Sequence, residues 1–158
     1  VLTAMPHRPL ITTERLRVCK RDGQILAGPP ALPLRDDRGR PLWQKLMVHT
    51  TEATLHDGVP IHRALVRRLS ESGVTTGATV VRGVWGFHGD HEPHGDRLIQ
   101  FGRQVPVLTI IIDTPERISR SFGIVDELTG THGLVTCETV PALMALDGGE
   151  RHGSIDLA

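Results

Sequence analysis

Aromatic residues are scarce: two Trp, three Phe and no Tyr in 158 residues. That is too few for the stacking platforms on which single-stranded nucleic acid is held. A net positive charge is also missing, with 18 Lys plus Arg against 18 Asp plus Glu, so affinity built on neutralising many phosphates is not expected. Lysine itself occurs only at Lys20 and Lys45. Cysteine occurs only at Cys19 and Cys137, with no CxxC or Cys/His spacing, which suggests neither a disulfide framework nor a structural zinc site and fits a reducing cytoplasm. The longest apolar run, residues 105–112, is far short of the roughly 20 residues that cross a bilayer. No charged-then-apolar leader opens the chain, and the expectation is a cytoplasmic protein that does not insert directly into a membrane. The first residue is Val1, which leaves open that the chain is a fragment. Catalytic signatures are lacking too. There is no GxSxG, HExxH or Walker loop, and the glycines at 83, 86 and 89 do not join a strand to a helix as a dinucleotide fingerprint does. The chain is therefore read as a non-enzyme.

What is present fits one domain with extra sequence, able to bury roughly 70% of the surface of its unfolded form. Residues 1–41 are read as an N-terminal extension. Within it, LITTERL (10–16) echoes LVTCETV (134–140) and is read as a strand, a remnant of a preceding repeat. The stretch 23–41 holds Pro29, Pro30, Pro33 and Pro41 and is read as a linker or long loop. The domain proper spans 42–143, and 144–158 is read as a flexible tail.

Within the domain, residues 42–50 alternate as a strand. From Pro60, the residues Ile61, Ala64, Leu65 and Leu69 recur at helical spacing until Gly73. Residues 78–87, rich in β-branched side chains, read as a second strand whose glycines mark a bulge or close backbone approach. Residues 105–112 are a third strand. Thr114 and Pro115 then cap and open a helix with the stripe Ile118, Phe122, Val125 and Leu128, up to Gly130. Gly123 inside it costs about 1 kcal/mol relative to alanine and predicts a less regular helix. Residues 134–140 form the last strand. The order strand, helix, strand, strand, helix, strand predicts an α+β, ferredoxin-like βαββαβ fold, with two helices on one face of a four-stranded antiparallel sheet and the first and third strands central. The third strand is apolar on both faces, and two helices cover only one. Each large aliphatic left in water forgoes roughly 1.5 to 3 kcal/mol, which predicts a homo-oligomer unless the N-terminal segment folds over the second face.

Three stretches, HDGVPIHRALVRRLSESGVTTGATVVRGVWGFHG, HGDRLIQFGRQVPVLTIIIDTPERI and VDELTGTHGLVTCETV, resemble the domain of unknown function 190 family, a branch of the PII-like superfamily. The resemblance covers about residues 44–141. It implies a homotrimer with inward-facing sheets and a small anionic ligand in intersubunit clefts, an adenine nucleotide being the candidate. It also implies a mobile loop, 88–104 here, that engages a protein partner, with a membrane transporter or channel among the candidates.

On these grounds Arg82, Gly83, Gly86, Phe87, His94, Arg97, Gly130 and Gly133 are the candidate ligand-binding residues. An arginine binds phosphate bidentately, and glycines admit a ligand to the backbone. The bland readings are an intersubunit salt bridge for Arg82 and an ordinary helix cap and turn for Gly130 and Gly133. The loop LTGTHGLV is similar in position to the phosphate-cradling loop of PII proteins but is shorter and lacks their lysine. The alternative function is a CutA-like divalent-metal binder using His88, His91 and His94 in FHGDHEPHGDR, although HxxHxxH is not a recognised ligand spacing. VRGVWGF faintly resembles an RNA-stacking strand, but the scarcity of aromatics weighs against a nucleic-acid partner.

Overall fold

The structure is a computed structural model and describes residues 14–86, 94–95, 105–140, 143–147 and 149–154. A six-stranded sheet carries the fold. Its strands are β1 (Arg17–Arg21), β2 (Gln24–Ile25), β3 (Trp43–Thr51), β6 (Thr79–Arg82), β9 (Pro106–Asp113) and β10 (Leu134–Val140). They run in the order β2-β1-β10-β3-β9-β6, antiparallel throughout. Four of them, β10-β3-β9-β6, reproduce the ferredoxin-like order with the first and third strands of the domain at the centre, as expected. The outer pair, β1 and β2, comes from the N-terminal segment.

Two helices lie on one face, α1 (Ile61–Ser72) and α2 (Pro115–Thr129). Gly73 ends α1 in the left-handed conformation, its N–H donating to the Ser70 carbonyl. In α2 the Thr114 hydroxyl accepts from the Arg117 N–H, Pro115 takes the first position and Glu116 meets the positive end of the helix dipole. The helix runs unbroken through Gly123, around whose missing Cβ lies open space. Ile61, Ala64, Leu65 and Leu69 of α1 and Ile118, Val125 and Leu128 of α2 are all buried. They pack on Leu46, Val48, Ile111, Val135 and Cys137 in one core. Asp113, at the end of β9, is also buried and accepts from the Thr75 hydroxyl, from the Thr76 N–H and hydroxyl, and from the Thr114 N–H, fixing the α1–β6 connection to the start of α2.

Among the described residues the two helices cover one face of the sheet, and the second face stays partly exposed. Val107, Thr109 and Ile111 point into the core, whereas Leu108, Ile110 and Ile112 remain partly exposed. Beside them across the register stand Met47 on β3 and Val81 on β6, the latter 48% exposed. The described part of the N-terminal segment extends the sheet edge.

Among the described residues the first strand of this segment is Arg17–Arg21, downstream of LITTERL, of which residues 10–13 lie outside the described residues. A β-bulge between Val18 and Lys20 turns Cys19 inward beside Cys137, both fully buried free thiols. The turn Asp22-Gly23 has φ of 47° and 85°, the pair of positive values that a two-residue type I′ hairpin requires. The Pro-rich stretch is also built. Gln44 Nε2 donates to the Pro30 carbonyl, and Asp36 gathers the Arg38 and Arg40 N–H groups and Arg40 Nε, so that the Arg40 backbone N–H above all holds the Asp36 carboxyl below its usual range.

Three smaller pairs complete the chain. They are β4 (Leu55–His56) with β5 (Val59–Pro60), β7 (Trp85–Gly86) with β8 (His94–Gly95), and β11 (Leu143–Asp147) with β12 (Glu150–Ser154). The last pair occupies the stretch read from the sequence as a tail. Its two strands are joined around Gly149, whose φ of 89° suits a tight turn. The expected second strand, 78–87, is shorter than predicted. At Gly83 the chain makes its last bond to the sheet, N–H to the Pro106 carbonyl at 2.8 Å, and Trp85–Gly86 then pairs elsewhere. No helix among the described residues is long and apolar enough to cross a membrane.

Candidate ligand-binding cleft

One end of the sheet collects the turn after α2, the β1–β2 turn, the end of β3 and the start of β9. The turn after α2 begins at Gly130, whose N–H donates to the Asp126 carbonyl as a helix cap. It ends at Gly133, with φ of 80°. A Cβ at Gly133 would stand 2.6 Å from the His49 carbonyl oxygen and 3.2 Å from Thr50 Cγ2. This is a position only glycine can hold, because both the backbone conformation and the contact exclude a side chain.

Between these segments lies a cavity of about 580 Å3, within the usual range for small-molecule sites. The turn after α2 contributes Thr131, His132 and Gly133, and β3 and the turn beyond it contribute His49, Thr50, Thr51 and Thr54. Pro106 and Leu134 form the floor, and Arg21 and Asp22 close the side nearest the N-terminal hairpin. The Thr50 hydroxyl is buried without a hydrogen-bond partner. Other buried polar atoms share that condition, such as Thr109 Oγ1 and Ser121 Oγ, but Thr50 is the one among them that lines the cleft. A buried hydroxyl left without a partner costs about 1–3 kcal/mol, and because the oxygen has no exposed surface a ligand would reach it only if the Thr50 side chain turned. A second concavity of about 560 Å3 runs along the outer side of α1, past His62, Arg63 and Arg67, away from every residue singled out in the sequence.

Of the sequence candidates, the cleft contains Gly133, and Gly130 opens its turn. Arg82 and Gly83 stand at the same end of the sheet but two strands away, since Arg82 lies opposite Val107, which lies opposite Thr50. That is roughly 10 Å at the usual strand spacing. Arg82 binds Glu52 of its own chain through Nε at 3.2 Å and Nη2 at 3.0 Å, so the ion pair is intrachain. Gly83 meets the Pro106 backbone closely, with a Cβ placed 3.2 Å from its carbonyl oxygen, and Pro106 in turn borders the cleft. Gly86 lies opposite His94 in β7–β8. Phe87, His88, His91 and Arg97 lie outside the described residues, as do the loop positions 88–93 and 96–104. Among the described residues no group of three His, Cys, Asp or Glu is arranged to hold a metal ion.

Sequence reasoning missed Glu52, His49, the threonines of HTTEAT and the whole hairpin wall. The threonines carry no spacing that separates a ligand wall from an ordinary strand end. The hairpin did carry a signal, Asp22-Gly23 between short alternating runs.

His49 keeps much of its surface exposed, yet the protein packed around its ring desolvates it and lowers its pKa. His62 is lowered likewise, by burial first and by Arg63 second. The folded state therefore binds these protons less readily than the unfolded chain, whose imidazoles titrate near about 6.5. Their neutral forms contribute stability above that value, and the contribution is lost progressively as pH falls below it. Urea midpoints measured from pH 8 to 5 are expected to decline through this window, and the decline is expected to flatten in the His49→Gln/His62→Gln double variant. An unchanged slope would remove the two histidines as its cause.

Comparison with known proteins places this sequence in a family. A "UPF0166 protein" from Aquifex aeolicus (strain VF5) is 34% identical over 99 residues, covering 62% of this chain and 90% of the relative. Among solved structures, a CPII protein from Thiomonas intermedia K12, bound to ADP and bicarbonate, is similar with a TM-score of 0.40 and 18% identity, covering 63% of this chain and 86% of that one. Residues 43–142 match the family DUF190, "Uncharacterized ACR". Since that match runs from the first central strand through both helices to the end of β10, the chain belongs to the DUF190 family.

Proposed function

We propose that the protein is a PII-like regulatory protein that assembles as a homotrimer, takes a small anionic ligand in the cleft at the sheet end, and signals to a protein partner through the loop 88–104. An adenine nucleotide is the first ligand to test. The observation that carries this reading is the cleft itself, a cavity of about 580 Å3 between a turn with glycine at both ends and the threonines at the end of β3. Glycine-flanked turns can hold an anion on backbone N–H groups; here the Gly130 and His132 N–H groups are bonded to the Asp126 and Thr129 carbonyls, so those of Thr131 and Gly133 are the candidates.

The uncovered sheet face supports the trimer. Leu108, Ile110 and Ile112 would be sheltered by other copies, and hydrophobic burial of this kind is the main drive to association. It also supports an intersubunit ligand. His49 and Leu134 belong to the uncovered face, being opposite Leu108 and His49 respectively in the register, and both line the cleft. Closing that face with a neighbour would set the subunit boundary at the cleft's rim.

Sedimentation of the full chain at micromolar concentration is expected to give three times the monomer mass, and titration calorimetry with ATP, ADP and AMP to give saturable binding with one site per chain. A monomer that binds none of the three would end this reading. The metal-binding alternative, through His88, His91 and His94, has no supporting observation among the described residues.

A further inference from the structure

We propose that the β1–β2 hairpin is part of the ligand site and that Arg21 selects a ligand carrying a phosphate or pyrophosphate. The inference rests on the cleft reading above and goes beyond it, because the hairpin lies outside the family segment, which begins at residue 43.

The hairpin is locked to the turn after α2 at three points. The Asp22 N–H donates to the Gly133 carbonyl at 2.9 Å. Gly23 packs so closely that a Cβ there would stand 2.9 Å from Thr131 Cα. Lys20, 2% exposed, reaches beneath the turn to the Asp126 carbonyl at 2.9 Å, Asp126 Oδ1 at 2.5 Å and Thr129 Oγ1 at 3.1 Å. These contacts fix the position of Arg21, the next residue, at the cleft wall.

The charge of the wall then decides the ligand's chemistry. The family segment lines the cleft with threonines, backbone and the imidazoles of His49 and His132, none of which carries a permanent positive charge. Arg21 is the one lining residue among those described that does, and no carboxylate among the described residues pairs with it. Hydrogen bonds from a guanidinium to phosphate are about twice as strong as neutral ones. Asp22 stands beside it as an acceptor, which suits a ligand that also brings donors such as sugar hydroxyls. A nucleotide and a sugar phosphate share that chemistry.

Calorimetry of the full-length chain with ADP, ribose 5-phosphate and adenosine, on wild type, Arg21→Gln and Arg67→Gln, tests this. Arg21→Gln is expected to weaken the phosphorylated ligand at least 10-fold and to leave adenosine unchanged, while Arg67→Gln on the outer side of α1 behaves as wild type. Preference of the wild type for ADP identifies a nucleotide site and preference for ribose 5-phosphate a sugar-phosphate site, and either supports the proposal if Arg21→Gln abolishes the advantage. Undiminished binding of the phosphorylated ligand by Arg21→Gln overturns the role of Arg21 but not the cleft. Equal weakening of adenosine overturns it as well, since the effect would then be structural. A wild type that binds none of the three removes the cleft reading and this inference together.

Discussion

Asp126→Ala is expected to lower stability by about 3 kcal/mol, seen as a fall of roughly 10 °C in melting temperature at fixed protein concentration, whereas Lys20→Met is expected to change it by less than about 1 kcal/mol. The asymmetry follows from where the two charges sit. Lys20 is 2% exposed and Asp126 35%. Removing the carboxylate strands an ammonium group in the interior with the Asp126 carbonyl and Thr129 Oγ1 as its remaining acceptors. Removing the ammonium leaves Asp126 free to turn to water, and methionine fills the same space while Thr129 keeps its bond to the Val125 carbonyl. Equal losses in the two variants would show that the pair acts through packing and not through its charge.

Gly133→Ala is expected to cost about 3 kcal/mol and to abolish ligand binding in the cleft, against about 1–2 kcal/mol for Gly130→Ala. Both glycines have positive φ, a conformation that costs an L-residue roughly 1–2 kcal/mol. They differ in what a Cβ would meet. At Gly130 there is nothing within 4 Å, whereas at Gly133 the His49 carbonyl oxygen is 2.6 Å away. Relief of that contact requires β10 and β3 to separate at their paired ends, where Leu134 lies opposite His49, and overpacking of this kind adds about 1–3 kcal/mol. Urea unfolding of the two variants side by side measures the difference, and equal midpoints would mean that the strand ends yield without cost.

The parts of the fold that were legible are those with a period. The stripe of Ile61, Ala64, Leu65 and Leu69, the capped start of α2 at Thr114-Pro115 and the two-faced strand at 105–112 each reflect one dominant local rule, and the structure has them where the rule puts them. The N-terminal hairpin was not legible because its local chemistry argues against burial. RVCKR sets three charges around two small apolar residues, and a lysine inside a core is unexpected until Asp126 and Thr129 are brought to it across more than a hundred residues. The prolines of 23–41 obscured the same region, since they mark turns without saying whether the turns are pinned. In the cleft, Gly133 could be named from its residue type, but Arg21, His49 and Thr50 belong to it only through the sheet register, which no short stretch of sequence encodes.

The place of β10 in the sheet bears on how the chain comes to fold. Strands β1 and β3 are separated by β10, which lies opposite Arg17–Arg21 on one side and Trp43 to His49 on the other. During synthesis, at about 5–20 residues per second, β1 leaves the ribosome roughly 5–20 s before the strand that must slot in beside it. For that interval its bonding edge and the inward cysteine have no native neighbour. Contacts of such long sequence separation close slowly, and completing this sheet requires the insertion of one late strand between two early ones.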